Sequence, residues 1–181
     1  MQIRSLLLFS LAFAAAGPAL GQPGGQDPEP AMRLFSASCM RYFHDQAGLK
    51  EMLESAGGRL AGDQAARFLP ASQPGDAWAM PYQGRRYVVS LTHSGLCSFH
   101  AQQADVAQLR EDFDAAVGVA PSPYHSVPRQ MGTDRGEVRT RAYGWSMPEH
   151  GDELLFVMTT DASADAPLQA LITLSRTDKP E

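Results

Sequence analysis

From residue 31 onward, apolar side chains recur with a helical period. Leu34, Phe35, Cys39, Tyr42 and Phe43 fall at three- and four-residue steps, which puts them on one stripe of a helix. Gly48 interrupts the pattern, and Leu49, Met52, Leu53 and Ala56 then form a second short stripe. Gly57-Gly58 ends it, since glycine takes the backbone conformations that a helix C-terminus needs. Asp63 heads a further turn through Phe68 and Leu69, stopped by Pro70.

The period then shortens to two. Residues 77–82 predict a strand carrying Trp78, and residues 85–92 a second with Tyr87, Val89 and Leu91 on one face. His93-Ser94-Gly95 makes a tight connection to a third strand, 96–101, whose Cys97, Phe99 and Ala101 share a face. Together these form an antiparallel meander. Asp105 caps an amphipathic helix with Val106, Leu109, Phe113, Ala116 and Val117 inward, and Gly118 stops it.

After the Pro-rich connection 120–123 come a weaker strand at 124–131 and a long one at 137–147. A strand apolar on both faces follows at 153–160, and a last one buries Leu168, Ala170, Ile172 and Leu174. Runs of strands separated by single helices predict an α+β fold. The expectation is a single domain over residues 31–176: an antiparallel sheet of about six or seven strands, with N-terminal helices and one mid-chain helix packed on one face. Residues 177–181 read as a polar tail.

Upstream the pattern differs. Met1-Gln2-Ile3-Arg4 supplies one positive charge, an uncharged apolar run follows from Ser5, and Ala19-Leu20-Gly21 presents small residues. That order predicts a signal peptide over residues 1–21, too short in its apolar run for the ~20 residues of a membrane span. No cysteine follows the cleavage point, so the sequence predicts no lipid attachment there and no stable membrane anchor after cleavage. Residues 22–30, QPGGQDPEP, read as a disordered leader. The chain is therefore expected to be exported, to the periplasm or the medium.

Composition sharpens this. The chain of 181 residues is 44% hydrophobic and 19% charged, with a net charge of −5. Losing Arg4 with the signal peptide lowers the basic residues from 15 to 14 against 20 acidic ones, a net −6 over 160 residues. That charge argues against a nucleic-acid partner. Asn is absent, Lys occurs only at Lys50 and Lys179, and Ile only at Ile3 and Ile172. This usage suits a GC-rich bacterial genome and weakens any functional weight placed on an individual arginine. Cys39 and Cys97 are the only cysteines, each on a predicted buried face. In an oxidising compartment they are expected to form a disulfide; no C-x-x-C suggests redox chemistry.

Chemistry-bearing patterns are sparse. H-E-x-x-H, G-x-S-x-G, the phosphate-binding G-x-x-x-x-G-K-[ST] and G-x-G-x-x-G are all missing. The five histidines, His44, His93, His100, His125 and His150, give no metal-ligating spacing, and no metal or cofactor is expected. Along the strand at 137–147, Val138, Thr140, Ala142 and Gly144 fall on one face, small enough for a helix to pack closely. Arg139, Arg141, Tyr143 and Trp145 fall on the other with Glu137. Two guanidiniums beside two aromatics can hold an oxyanion and stack a planar group, but the first reading is an ordinary polar sheet face with arginine stems packed on rings. Trp78, Met80 and Tyr82 share a face beside Arg85-Arg86, where burial under a loop is the first reading and an exposed patch for a partner the alternative.

Several short segments resemble a family of small exported proteobacterial proteins and lipoproteins of uncharacterised function. They are Leu34-Phe35 ahead of Cys39, Phe68-Leu69 ahead of Trp78, Tyr87-Val88-Val89-Ser90-Leu91, Gly95-Leu96-Cys97-Ser98-Phe99, Thr140-Arg141-Ala142-Tyr143, and Gln169-Ala170-Leu171-Ile172-Thr173. The resemblance implies export and a paired-cysteine framework, and no activity. The leading expectation is a non-enzymatic periplasmic binding or accessory protein, of immunity type, recognising a protein through Arg139, Arg141, Tyr143, Trp145 and Trp78. The alternative is a small periplasmic enzyme using His93 and His100 with an acid such as Asp76.

Overall fold

The computed structural model describes residues 27–132 and 134–180. The predicted signal peptide and residues 22–26 of the leader lie outside the described residues. Helix α1, Pro30–Phe35, opens with proline at a position whose N–H has no intrahelical partner, and continues through a π-helical turn, Ser36–Met40. Its cap is Glu29, whose carboxylate accepts from the Ala31 N–H, from Arg85 Nη1 at 2.6 Å and from the Asp105 N–H at 3.4 Å. Glu29 is only 3% exposed, and a carboxylate that far out of water needs such partners. The fold thus starts ahead of residue 31, inside the segment that composition assigned to the leader.

Helix α2, Gln46–Ala56, is capped by the Asp45 carboxylate, which accepts from the Gly48 N–H at 2.9 Å, and buries Leu49 and Leu53. The sheet comprises β1, Gly58–Arg59; β2, Gly75–Tyr82; β3, Arg85–Thr92; β4, Cys97–Ala101; β5, His125–Arg129; β6, Val138–Ser146; β7, Asp152–Asp161; and β8, Ala170–Asp178. All pairings are antiparallel, in the order β1-β2-β3-β4-β8-β7-β6-β5. The α+β class and the meander β2–β3–β4 are as expected. The strand count is eight rather than six or seven. The additional strand, β1, is two residues long, too short to carry a period, and exists through its pairing with Trp78 and Ala79.

One row of directly opposed residues crosses the inner face: Trp78, Val89, Phe99, Ile172 and Met158, ending at Arg141. Helix α4, Val106–Val117, lies on that face with Val106, Leu109, Phe113 and Val117 buried. Its cap is the Asp105 carboxylate, accepting from the Gln108 N–H at 3.1 Å. Cys39 and Cys97 are joined, with Cα atoms 5.7 Å apart, so the turn after α1 is pinned to the start of a central strand.

The helices do not all pack on one face. The short α3, Gly62–Ala65, and the 3₁₀ turn Ala66–Phe68 lie over the outer face of β2–β4. There the Ser90 hydroxyl donates to the Phe68 carbonyl at 2.7 Å, and the Phe68 ring stands edge-on to His100 with centroids 5.2 Å apart. Ala77, Ser90 and Ser98 on this face are buried. Among the described residues, no helix is long and apolar enough to cross a membrane.

Candidate functional site

The arginine-aromatic face of β6 is turned inward, toward α4, and the small-residue face outward, the reverse of the expected packing. Arg141 is paired with Asp114 of α4, and the Tyr143 hydroxyl donates to the same carboxylate at 3.1 Å. The Trp145 indole N–H donates to the Val117 carbonyl at 2.7 Å, ending α4, and the ring lies 4.6 Å from Phe156. Arg139 turns back on its own loop, donating to the Gly136 carbonyl at 2.6 Å. Arg141, Tyr143 and Trp145 attach a helix to a sheet, and Arg139 is tied to its own loop.

The small residues opposite have another use. Arg129 of β5 and Glu153 of β7 reach toward each other past Gly144, with Nη2 and Oε2 at 2.5 Å. A Cβ at Gly144 would lie 2.7 Å from Glu153 Cδ and 3.0 Å from Arg129 Nε. The pair raises the Arg129 guanidinium above its ordinary value through the hydrogen bond to Glu153. A bidentate pair, rather than a helix, requires the missing side chain. Trp78, the remaining predicted site residue, is fully buried in the inner core, so the outward aromatic patch does not form.

The histidines of the enzymatic alternative are separated. His93 is exposed on the β3–β4 turn and lines a cavity of about 900 Å³ that also holds Asp76 and Arg59. Burial alone would raise the Asp76 carboxyl, but Arg59 at 2.5 Å and Lys50 at 3.4 Å together hold it below its ordinary value. That carboxylate is committed to two cations. His100 lies in a different cavity, beneath Phe68. Its Nε2 is 3.3 Å from Ser90 Oγ, a pairing that invites comparison with a nucleophile and its base. The Ser90 proton, however, goes to the Phe68 carbonyl, and Ser90 is 1% exposed. The imidazole therefore faces a hydroxyl whose proton is already placed elsewhere. Burial pushes the His100 pKa down to about 4, opposed only in part by the Phe68 carbonyl, and keeps the ring neutral at neutral pH.

What the outer face does offer is the cavity itself, about 260 Å³ and open to solvent. Leu60, Phe68, Ala79 and Val88 form its apolar walls, and His100 closes one side. Arg67 and Arg86 stand at its rim, neither with a carboxylate partner among the described residues. At Arg86 and Gln102 it meets a wider polar cavity of about 740 Å³, bordered by Gln103 and Gln169. Of this site, the sequence singled out His100 and, beside the Trp78 face, Arg86. The rest depends on residues 60–68 folding over the sheet, for which the Phe68-Leu69 pair before Pro70 was the one local sign. Comparison with protein-family models, with curated proteins and with solved structures returns no match for this chain.

Proposed function

We propose that the chain is an exported, non-catalytic binding protein, and that its recognition site is the cleft between the α3 segment and the outer face of β2–β4. The observation carrying this reading is the composition of that cleft. Apolar walls stay open to solvent where burial would otherwise be favoured, at about 25 cal/mol for each Å² covered. Apolar concavity with a few converging polar groups is the usual form of a small-ligand site. Three side chains able to do chemistry, by contrast, are spent on structure: Ser90 on a carbonyl, Asp76 on two cations, Arg141 on Asp114. The Cys39–Cys97 disulfide supports export, because such bonds persist in oxidising compartments.

Titration of labelled protein with 1-anilinonaphthalene-8-sulfonate, followed by amide chemical shifts, tests the site. The expected perturbations cluster at Leu60, Phe68, Val88 and His100. Perturbations confined to the β5–β6 end, or none at all, would overturn it.

A further inference from the structure

We propose that the cleft is selective for a small amphiphilic carboxylate, its apolar tail against Phe68 and Val88 and its head between Arg67 and Arg86. This rests on the cleft being the recognition site and adds the chemistry of what enters it.

Charge distribution carries the inference. The protein is acidic, with 20 Asp and Glu against 15 Lys and Arg, yet among the described residues no carboxylate lines either the cleft or the polar cavity that shares Arg86 and Gln102 with it. Most arginines elsewhere are paired: Arg33 with Asp27, Arg59 with Asp76, Arg85 with Glu29, Arg129 with Glu153, Arg139 with Asp134, Arg141 with Asp114 and Arg176 with Asp152. Arg67 and Arg86, like Arg41, Arg110 and Arg135, have no carboxylate partner among the described residues, but these two stand on different elements at one rim. Two like charges at one rim, with no paired carboxylate among the described residues, repel each other, and a bound anion offsets that repulsion. A planar guanidinium presents paired donors that match a carboxylate.

The third nearby cation, Arg85, is spent on Glu29 at 2.6 Å. Arg67 and Arg86 are therefore the two guanidiniums left to hold the head group. Tail length follows from volume: about 260 Å³ lies just below the roughly 300–1,000 Å³ of sites for drug-sized ligands, which suits a medium-length chain or a single ring. His100 contributes a wall. Buried against Phe68, its ring is neutral and adds neither charge nor counter-charge to the head site.

Calorimetric titration with octanoate, octanamide and octylammonium, each with the same tail, tests the assignment. Octanoate is expected to bind at least tenfold more tightly than octanamide, and octylammonium more weakly than either. In the Arg67→Ala, Arg86→Ala double variant octanoate should fall to the level of octanamide, whose own affinity changes less than twofold. Raising salt should weaken octanoate and leave octanamide unchanged, giving a readout on the unmodified protein. Equal binding of octanoate and octanamide overturns the carboxylate assignment and leaves the cleft as the binding site. Failure of all three to bind overturns the cleft reading with it.

Discussion

His100 shows how one half-buried side chain can set a pH limit on the fold. Its ring sits against Phe68 and Ser90, where charging it is unfavourable, so its pKa in the folded protein is about 4 rather than the 6.5 of an exposed imidazole. Between these values the unfolded chain binds the proton and the folded chain does not. Stability is therefore fully present above pH 6.5 and is lost progressively as pH falls toward 4, by up to about 3 kcal/mol. Urea denaturation at pH 7 and pH 4.5 measures this loss. His100→Asn, which cannot titrate, should flatten most of the difference, while Asp76, held below its ordinary value by Arg59 and Lys50 despite its burial, contributes equally to both proteins. An identical pH dependence in the variant would sink the assignment. The same neutrality separates His100 from a general base, which works best with a pKa near the operating pH.

At the scale of elements, β6 carries the most information about how a strand chooses its faces. Glycine inside a strand ordinarily costs stability relative to alanine, yet Gly144 allows Arg129 and Glu153 to close over the backbone. Gly144→Ala should therefore destabilise the protein by about 1–3 kcal/mol through overpacking. With Glu153→Ala in place, the same substitution should become neutral or stabilising, a coupling that a double-mutant cycle in urea reads directly. A neutral Gly144→Ala in the parent chain would exclude this role. The example also shows why periodicity gave β6 its length but not its orientation. Alternation states which residues share a face; whether small residues there admit a helix or an ion pair depends on Arg129 and Glu153, brought from other strands. Helix α4 was legible because its signals are local: Asp105 as cap, an apolar stripe, Gly118 as stop. Strand β1 and the 60–68 cover were not, since both depend on a sheet edge and face that exist only after folding. Because the cleft is made by that cover, Leu60 and Arg67 gave no sign in the sequence beyond their side-chain types, and Arg86 showed only as a neighbour of the Trp78 face.

For the molecule as a whole, the decisive connection is Cys39–Cys97, whose sequence separation is 58. The enclosed loop contains α2, β1, α3, β2 and β3, and with them most of the cleft wall: Leu60, Phe68, Ala79 and Val88. Its ends join the N-terminal helical layer to β4, next to β8 at the middle of the sheet. Constraining a loop of that length in the unfolded chain is worth about 4 kcal/mol in the chain-entropy account, against a typical total of roughly 5–15 kcal/mol. Cys39→Ala with Cys97→Ala should therefore lower the urea-derived stability by about 4 kcal/mol. Dithiothreitol should destabilise the parent chain by a similar amount and leave the variant unmoved. A loss below about 1 kcal/mol would mean that core packing alone holds the N-terminal layer, and the fold would then be indifferent to compartment. A loss of the expected size means that a reducing environment removes a large fraction of the stability, most directly from the half of the sheet that forms the cleft. Ligand binding should then fail in dithiothreitol at urea concentrations where the oxidised protein still binds, which ties the recognition site to an oxidising compartment.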